Sequence, residues 1–203
     1  MMAKLLFLLT LFASSPMSEH DSIYNLWIHS DFKQYIDYQL FREAMTAYYR
    51  YGFSSDVLTI IDYTLPSTQK RFFVLNLRSG KLIFREYVAH GRNSGENYAT
   101  SFSNEIGSLK SCLGVFRTGD TYIGKHGYSL KLIGLEKGKN DNAQKRHIVI
   151  HGANYVSEKF IRLYGRLGRS WGCPALPVDK AKPIIDYIKG GTCLYIRGID
   201  KNK

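Results

Sequence analysis

The chain has 203 residues, which suits one domain with a real hydrophobic core, and its 15 Tyr and 11 Phe are typical of β-rich folds. The 28 Lys and Arg against 17 Asp and Glu give a net charge of +11, which favours polyanionic surroundings such as nucleic acid or an anionic cell envelope, or serves solubility alone. The three widely spaced Cys exclude a disulfide framework, and without a CxxC pair they also exclude a zinc ribbon.

The N-terminus has the order of segments found in secretory signal peptides. Residues 1–4 are short and basic, residues 5–13 (LLFLLTLFA) are apolar, and small and polar residues follow. We therefore predict a signal peptide over residues 1–15, cleaved after Ala13 or Ser15; a buried N-terminal helix is the alternative. The apolar run is shorter than the roughly 20 residues of a transmembrane helix. An exported chain with three Cys keeps at least one free thiol, which is then a candidate for chemistry.

A helix is predicted over residues 31–51, within an N-terminal helical extension that spans residues 16–54. Asp31 is placed to cap this helix and Gly52 to end it. Apolar residues recur at every fourth position along it: Phe32, Ile36, Leu40, Ala44 and Tyr48. This stripe favours core packing over a binding groove.

The rest of the chain has mainly the pattern of short strands. They are predicted at residues 57–63, 71–77, 81–88, 115–118, 129–133, 147–151 and 192–197. A Gly-containing turn at 78–80 indicates a hairpin, and a short helix is predicted at 179–189. The polar segment 89–111 is expected to form a surface loop near a site. The fold is thus predicted to be mainly β, with an N-terminal helix and a short C-terminal helix.

The segment from Arg146 to Leu176 carries the residue types needed for thiol chemistry. A strand ends in His151, and Ser170-Trp171-Gly172-Cys173 follows after a spacer with Gly168. A thiol attacks a carbonyl only as thiolate, so a nearby imidazole must accept its proton. Backbone N–H groups of Trp171, Gly172 and Cys173 could hold the oxyanion that forms. The alternative is that Cys173 is a small buried residue and His151 a structural histidine.

These motifs resemble those of the YkuD-type L,D-transpeptidases. In that family a strand ends in His-Gly, and a spacer with Gly leads to Ser/Thr-His-Gly-Cys; here the motif is His151-Gly152, Gly168 and residues 170–173. The chain is most similar to the murein L,D-transpeptidase catalytic domain branch, over about residues 55–197. The stretches that match are SFSN at 101–104, YIGKHGYSLKLIGLE at 122–136 and GRSWGCPALP at 168–177. Trp171 in place of His, and Pro174-Ala175 in place of a polar pair, depart from the wider family.

The resemblance implies a β-sandwich-like catalytic domain, which we assign to residues 55–203. It implies that Cys173 is the nucleophile, His151 the base, and the Gly152 carbonyl the group that orients the imidazole. The substrate it implies is the stem peptide of peptidoglycan, whose acyl group passes through a thioester to an acceptor amine. No cofactor and no metal are expected.

Several further residues are candidates for substrate binding. They are Ser170, Arg169, His126 and Tyr122, with Ser129, Arg146, Arg92 and Lys125 as lesser candidates. Arg169 could pair with a substrate carboxylate, since its guanidinium offers a fork of donors; a solvated surface Arg is the alternative. Cys112 and Cys193 are expected to be packing residues, with a disulfide between them left open.

Three other functions remain open at this point. Water as acceptor would make the same site an L,D-carboxypeptidase or endopeptidase. A basic module that binds the anionic envelope without catalysis is a second possibility, and a zinc site at His126, His151 and Cys173 a third, although their separations match no common zinc spacing. We expect a monomer in the periplasm or cell envelope whose partners are stem peptides and anionic polymers, not nucleic acid.

Overall fold

A computed structural model of the chain describes residues 18–201. The predicted signal peptide lies outside the described residues. Within residues 18–201, no helix is both long enough and apolar enough to cross a membrane.

The structure contains four α-helices and eight strands in the part of the chain that it describes. The helices are α1 (Glu19–His29), α2 (Tyr38–Arg50), α3 (Glu158–Tyr164) and α4 (Val178–Ile188). The strands are β1 (Val57–Asp62), β2 (Phe72–Asn76), β3 (Lys81–Glu86), β4 (Gly114–Gly124), β5 (Gly127–Gly134), β6 (Val149–Gly152), β7 (Ala175–Leu176) and β8 (Cys193–Arg197). Each predicted strand is present, with shifted ends.

All eight strands join in one sheet with the order β3-β2-β1-β8-β4-β5-β6-β7. The pairs β1–β8 and β6–β7 are parallel, and the other neighbours are antiparallel. The prediction of a mainly β fold with an N-terminal helix and a short helix near the C-terminus is confirmed.

The sheet is buried on both faces along its central strands. Successive side chains of a strand point to opposite faces, and in β1 the side chains of Ile60 and Ile61 enter different cores. On one face, α1 and α2 pack against Ile60, Phe73 and Leu75. On the other face, α4 packs against Ile61 and its neighbours. The two cores hold the central strands in place. Strands β6 and β7 lie at one end of the same sheet.

The predicted N-terminal helix differs from the observed one in where it begins. A short 3-10 turn at Phe32–Gln34 separates α1 from α2, and α2 starts at Tyr38. The carboxylate of Asp37 accepts the Leu40 N–H at 2.8 Å and caps α2. Asp31 instead accepts the N–H of Leu82 in β3 at 2.6 Å. The apolar stripe lies in the core as predicted.

The β4–β5 hairpin is longer than the sequence pattern predicts. Its strands continue past a register shift between Thr118 and Thr121 to a tip at Lys125 and His126. The tip is exposed, so its residues lack the apolar alternation by which strands are recognised. The loop predicted over residues 89–111 contains no strand, and isolated bridges join it to the segment 170–175.

Candidate active site

The parallel pairing of β6 with β7 brings the two candidate dyad residues to one place. His151 is paired with Ala175, two residues after Cys173. This register places the turn that contains Cys173 beside the end of β6, where His151 lies. Both line one cavity of about 760 Å³. Residues twenty-two positions apart in sequence therefore meet because of this register.

The imidazole of His151 is buried and oriented by its own strand. Its Nδ1 donates to the Gly152 carbonyl at 3.0 Å, which leaves Nε2 without a proton and able to accept one. Burial lowers the pKa of His151, the Gly152 carbonyl opposes this, and nearby His126 lowers it further. The side chain is only 2% exposed. At neutral pH the imidazole is therefore neutral, as a general base must be.

The thiol of Cys173 is partly buried in the cavity wall. Burial raises the pKa of Cys173, while the Val149 N–H and the cations Arg146 and Lys125 oppose the rise. Its Sγ donates to the His147 carbonyl at 3.5 Å and not to the imidazole. His147 has a φ of 55°, a conformation that a non-Gly residue rarely adopts and that clusters at functional sites. The resting dyad is thus a neutral thiol beside a neutral imidazole.

Two hydrogen bonds of the Ser170 hydroxyl hold the turn before Cys173 in place. Ser170 Oγ accepts the Gly172 N–H at 3.0 Å and donates to the Cys173 carbonyl at 2.6 Å. Gly172 has a φ of 125°, and a Cβ there would lie 2.8 Å from the Lys110 carbonyl oxygen. Within residues 18–201, the N–H groups of Trp171 and Cys173 donate to no acceptor. These two N–H groups are therefore available to a ligand.

The tip of the β4–β5 hairpin covers the dyad. The ring of His126 stacks on the ring of His151 with centroids 4.5 Å apart. The Nζ of Lys125 lies over the ring of Trp171, 5.0 Å from its centroid. Trp171 is 65% exposed, so it forms the outer rim of the cavity while His126 shields the imidazole.

The cavity brings together most of the predicted site residues. Its lining consists of Tyr122, Lys125, His126, Arg146, His147, Val149, His151, Tyr155, Arg169, Ser170, Trp171 and Cys173. No carboxylate side chain belongs to this set, so its charged members are all basic. A second cavity of about 520 Å³ shares Lys125, His126 and Tyr155 with it and continues toward Gly152 and Lys182. The two cavities therefore adjoin at the His126 ring, and Cys173 and His151 line only the first of them.

Two predicted substrate contacts have partners within the protein. Arg169 donates to Glu96 at 2.6 Å and to the carbonyls of Arg92 and Gly95, so its charge is largely met there. The Ser170 hydroxyl is bonded inside the turn. Both residues line the cavity, and their part in substrate binding stays a prediction.

Two residues of the cavity wall, His147 and Tyr155, were not predicted from the sequence. His147 supplies the carbonyl that receives the thiol, yet nothing in the sequence marks a carbonyl for that role. Tyr155 lies opposite and packs on Gly168, where a Cβ would lie 2.4 Å from the Tyr155 Cβ. The spacer glycine of the motif was the available signal for such close packing. Arg146, a lesser candidate, ties the loop to the wall through Ser103 and Lys110.

The other cysteines take no part in the cavity. Cys112, Cys173 and Cys193 are all free, and Cys112 and Cys193 are buried in cores on opposite faces of the sheet. Their role as packing residues is confirmed and a disulfide between them is not present. In the part of the chain that the structure describes, no three His, Cys, Asp or Glu side chains are grouped to hold a metal ion.

Several proteins of known structure are similar to this chain. The chain is similar to an L,D-transpeptidase from Mycobacterium smegmatis (13% identity, TM-score 0.44, covering 72% of this chain and 60% of that one). It is also similar to the helical cell shape determining protein Pgp2 from Campylobacter jejuni (15% identity, TM-score 0.47, covering 73% and 49%). A third is L,D-transpeptidase 1 from Mycobacterium tuberculosis (14% identity, TM-score 0.41, covering 72% and 63%).

The chain spans less than two thirds of the length of each of these solved chains. No curated protein matches it. Residues 32–197, which include both site strands and the turn between them, match the sequence model of the L,D-transpeptidase catalytic domain. The chain therefore belongs to the L,D-transpeptidase catalytic domain family.

Proposed function

We propose that the chain is a cysteine-dependent acyltransferase that crosslinks the stem peptides of peptidoglycan. The observation that carries this proposal is one cavity lined by both Cys173 and a buried, oriented His151. The family match supports the same class of chemistry. The basic lining suits a peptide with free carboxylates, since opposite charges attract strongly in a partly desolvated cavity.

In the first half of the reaction, the thiol proton passes to Nε2 of His151 and sulfur attacks the amide carbonyl after an L-centred residue. The Sγ–C bond forms and the carbonyl oxygen becomes an oxyanion. The N–H groups of Trp171 and Cys173 are free to stabilise it. The N–H of Gly172 is bonded to Ser170 and joins them only if that bond opens. Collapse breaks the C–N bond, and the imidazolium returns the proton to the leaving D-residue.

For this transfer, Sγ must turn from the His147 carbonyl toward the imidazole. Catalytic hydrogen bonds are often long in the free enzyme and tighten only when substrate binds. A substrate that displaces the weak 3.5 Å bond to His147 would release the thiol toward Nε2. The high resting pKa of Cys173 then protects the thiol until substrate is present.

In the second half, an acceptor amine attacks the thioester and loses its proton to His151, and the thiol leaves with that proton. The second cavity, beyond the His126 ring, offers room for an acceptor while the first holds the acyl chain. If water attacks instead, the chain is an L,D-carboxypeptidase or endopeptidase, which uses the same two residues.

The decisive experiment is incubation of the protein with a stem tetrapeptide, followed by mass spectrometry of the products. We expect a crosslinked dimer and free D-residue from the wild type, and neither from Cys173→Ala, whose circular dichroism should be unchanged because a partly exposed sulfur is lost. Cys193→Ala removes a thiol on the opposite face of the sheet and should retain turnover.

The other outcomes select among the alternatives. Tripeptide without dimer would assign hydrolysis. Turnover retained in Cys173→Ala would reject the nucleophile. No turnover, together with salt-sensitive binding to anionic polymers that survives Cys173→Ala, would identify a binding module. Peptidoglycan as substrate also implies action outside the inner membrane, which agrees with the predicted signal peptide.

A further inference from the structure

A guanidinium without a carboxylate partner is buried next to the active-site loop. Arg71 is fully buried just before β2. Within residues 18–201 no carboxylate forms an ion pair with it, and the charge of Asp62 acts on it only at longer range. A buried cation costs free energy unless hydrogen bonds satisfy it. Its pKa of about 10 keeps it charged at neutral pH. The fold therefore retains a charged group whose burial is unfavourable, and the contacts of the Arg71 guanidinium indicate its role.

The Arg71 guanidinium donates hydrogen bonds to two parts of the chain. One is the segment that leads into the loop of residues 89–111, and the other is the carbonyl of Leu65. Nε and Nη2 donate to the Val88 carbonyl at 3.2 and 3.0 Å, and Nη1 donates to the Leu65 carbonyl at 2.7 Å. The guanidinium also lies over the ring of Tyr63, whose hydroxyl donates to the Ala89 carbonyl.

The remaining Nη2 donor fixes a buried histidine. It donates to Nδ1 of His90 at 2.7 Å. Arg cannot accept a hydrogen bond, so the His90 proton is on Nε2, which faces the Gly95 carbonyl at 3.2 Å. Burial and the Arg71 charge lower the pKa of His90 to about 3, so the imidazole stays neutral at neutral pH.

The segment held in this way carries both ends of the turn that contains Cys173. The Ala89 N–H donates to the Ala175 carbonyl at 2.9 Å, after the turn. Before the turn, the Ser170 N–H donates to the His90 carbonyl at 2.9 Å, and the Arg92 N–H to the Ser170 carbonyl at 2.7 Å. Neither Arg71 nor His90 lines the cavity.

We infer that Arg71 and His90 are positioning residues, a buried pair that holds segment 88–92 so that the turn presents Cys173 to His151. The inference rests on the proposed function for its activity readout. Loss of the pair should misplace sulfur relative to Nε2, and a misplacement of about 1 Å can cost about 10²-fold in rate.

The test compares His90→Phe, which keeps a buried ring but removes the acceptor, with His90→Asn, whose amide oxygen can accept from Arg71. Two quantities are measured: kcat and KM with a stem tetrapeptide, and the rate of Cys173 alkylation by iodoacetamide against pH. His90→Phe should lower kcat by about 10²-fold with KM unchanged and should change the alkylation profile. His90→Asn should restore most of both.

A stability control separates positioning from folding. Leu75→Ala leaves a cavity in the core on the opposite face of the sheet, so it should lower Tm without changing kcat or the alkylation profile. If His90→Phe does not fold, Arg71→Lys replaces it, because Lys keeps the charge and loses the fork. Unchanged kcat and alkylation in the folded variant, or an equal loss in Leu75→Ala, would overturn the inference. If the wild type shows no turnover, the proposed function fails and alkylation alone decides on the pair.

Discussion

At the residue scale, the dyad is set by its neighbours more than by its own sequence motif. His151 and Cys173 are both held in their neutral forms by burial. Two His-Gly pairs follow apparent strands in the sequence, and the buried strand at Ile150 favours His151 as the base. The structure adds that His126 stacks on His151, a contact that no spacing rule predicts because the hairpin tip and β6 are far apart in sequence.

The first residue-scale prediction separates the two histidines. His151→Ala should lower the acylation rate by at least about 10²-fold, because the general base is lost. His126→Ala should leave the base in place but expose its ring and remove a neighbouring imidazole, and both changes raise the pKa of His151. The acidic limb of acylation rate against pH should therefore move to higher pH in His126→Ala and disappear in His151→Ala.

Single-turnover acylation by a stem peptide, followed by mass spectrometry from acid to neutral pH, measures both limbs. Tyr122→Phe is the matched control at the cavity wall, since it removes a hydroxyl without touching either ring. An acidic limb that stays in place in His126→Ala would show that the stacked ring does not tune the base. A limb that persists in His151→Ala would assign the proton transfer elsewhere.

At the element scale, the sequence predicts the strands well and the helix starts less well. Runs of β-branched and aromatic residues located β1 and β2, whose side chains are mostly buried, and the Gly-containing turn at 78–80 located the edge strand β3. The apolar stripe of the N-terminal region continues through a 3-10 turn, so periodicity alone joined two separate pieces. Asp31 was predicted to cap the helix, but its carboxylate accepts the N–H of Leu82 in β3, a tertiary contact that the local sequence does not reveal. Asp37 is the cap instead.

The element-scale prediction concerns that cap. Asp37→Ala should lower the free energy of unfolding by about 1 kcal/mol, the usual cost of losing an N-cap. Asp37→Asn keeps an oxygen for the Leu40 N–H and loses only the exposed ion pair with Arg197, so it should be nearly neutral. Urea denaturation measures both, and Cys173 alkylation should not change. Equal losses in the two variants would assign the stabilisation to the ion pair.

At the scale of the whole molecule, the mainly β class was predictable and the strand order was not. Local pattern indicates which segments are strands, but the parallel pairing of β1 with β8 joins segments at opposite ends of the domain. The sequence motif predicted that Cys173 and His151 belong to one site, and both residues line the same cavity. Arg169, predicted to bind substrate, lines this cavity and also pairs with Glu96, a carboxylate that sequence spacing does not reveal. The division at residue 55 stays a prediction.

The whole-molecule prediction concerns acid stability. The pKa of His90 is lowered from 6.5 to about 3 by burial and by Arg71. Its unfolded form takes up a proton as the pH falls through about 6.5, while the folded form does not until about 3, so stability falls progressively across that window and is unaffected above it. Between pH 7 and pH 5 His90 should contribute about 2 kcal/mol to this loss.

Denaturant unfolding at the two pH values measures this loss. His90→Asn has no group that titrates there, so its stability should fall by about 2 kcal/mol less over the same interval. His29→Asn, at an exposed position on α1, is the matched control and should follow the wild type. The same pH dependence in all three proteins would contradict the assignment to His90.

The position of β7 at the end of the sheet has a consequence for the lifetime of the catalytic geometry. This strand has two residues, and its partner β6 has four; on its other side β7 has only the isolated bridge between Ala89 and Ala175. Short marginal elements open more often than core strands, each opening with its own free energy below that of global unfolding. The dyad can therefore separate and re-form while the rest of the sheet stays closed. The half-life of the functional state is then set by this end of the sheet. Mutations that stabilise the core beneath α1 and α2, which contains no residue of β6 or β7, would prolong the survival of the fold without prolonging that of the active centre.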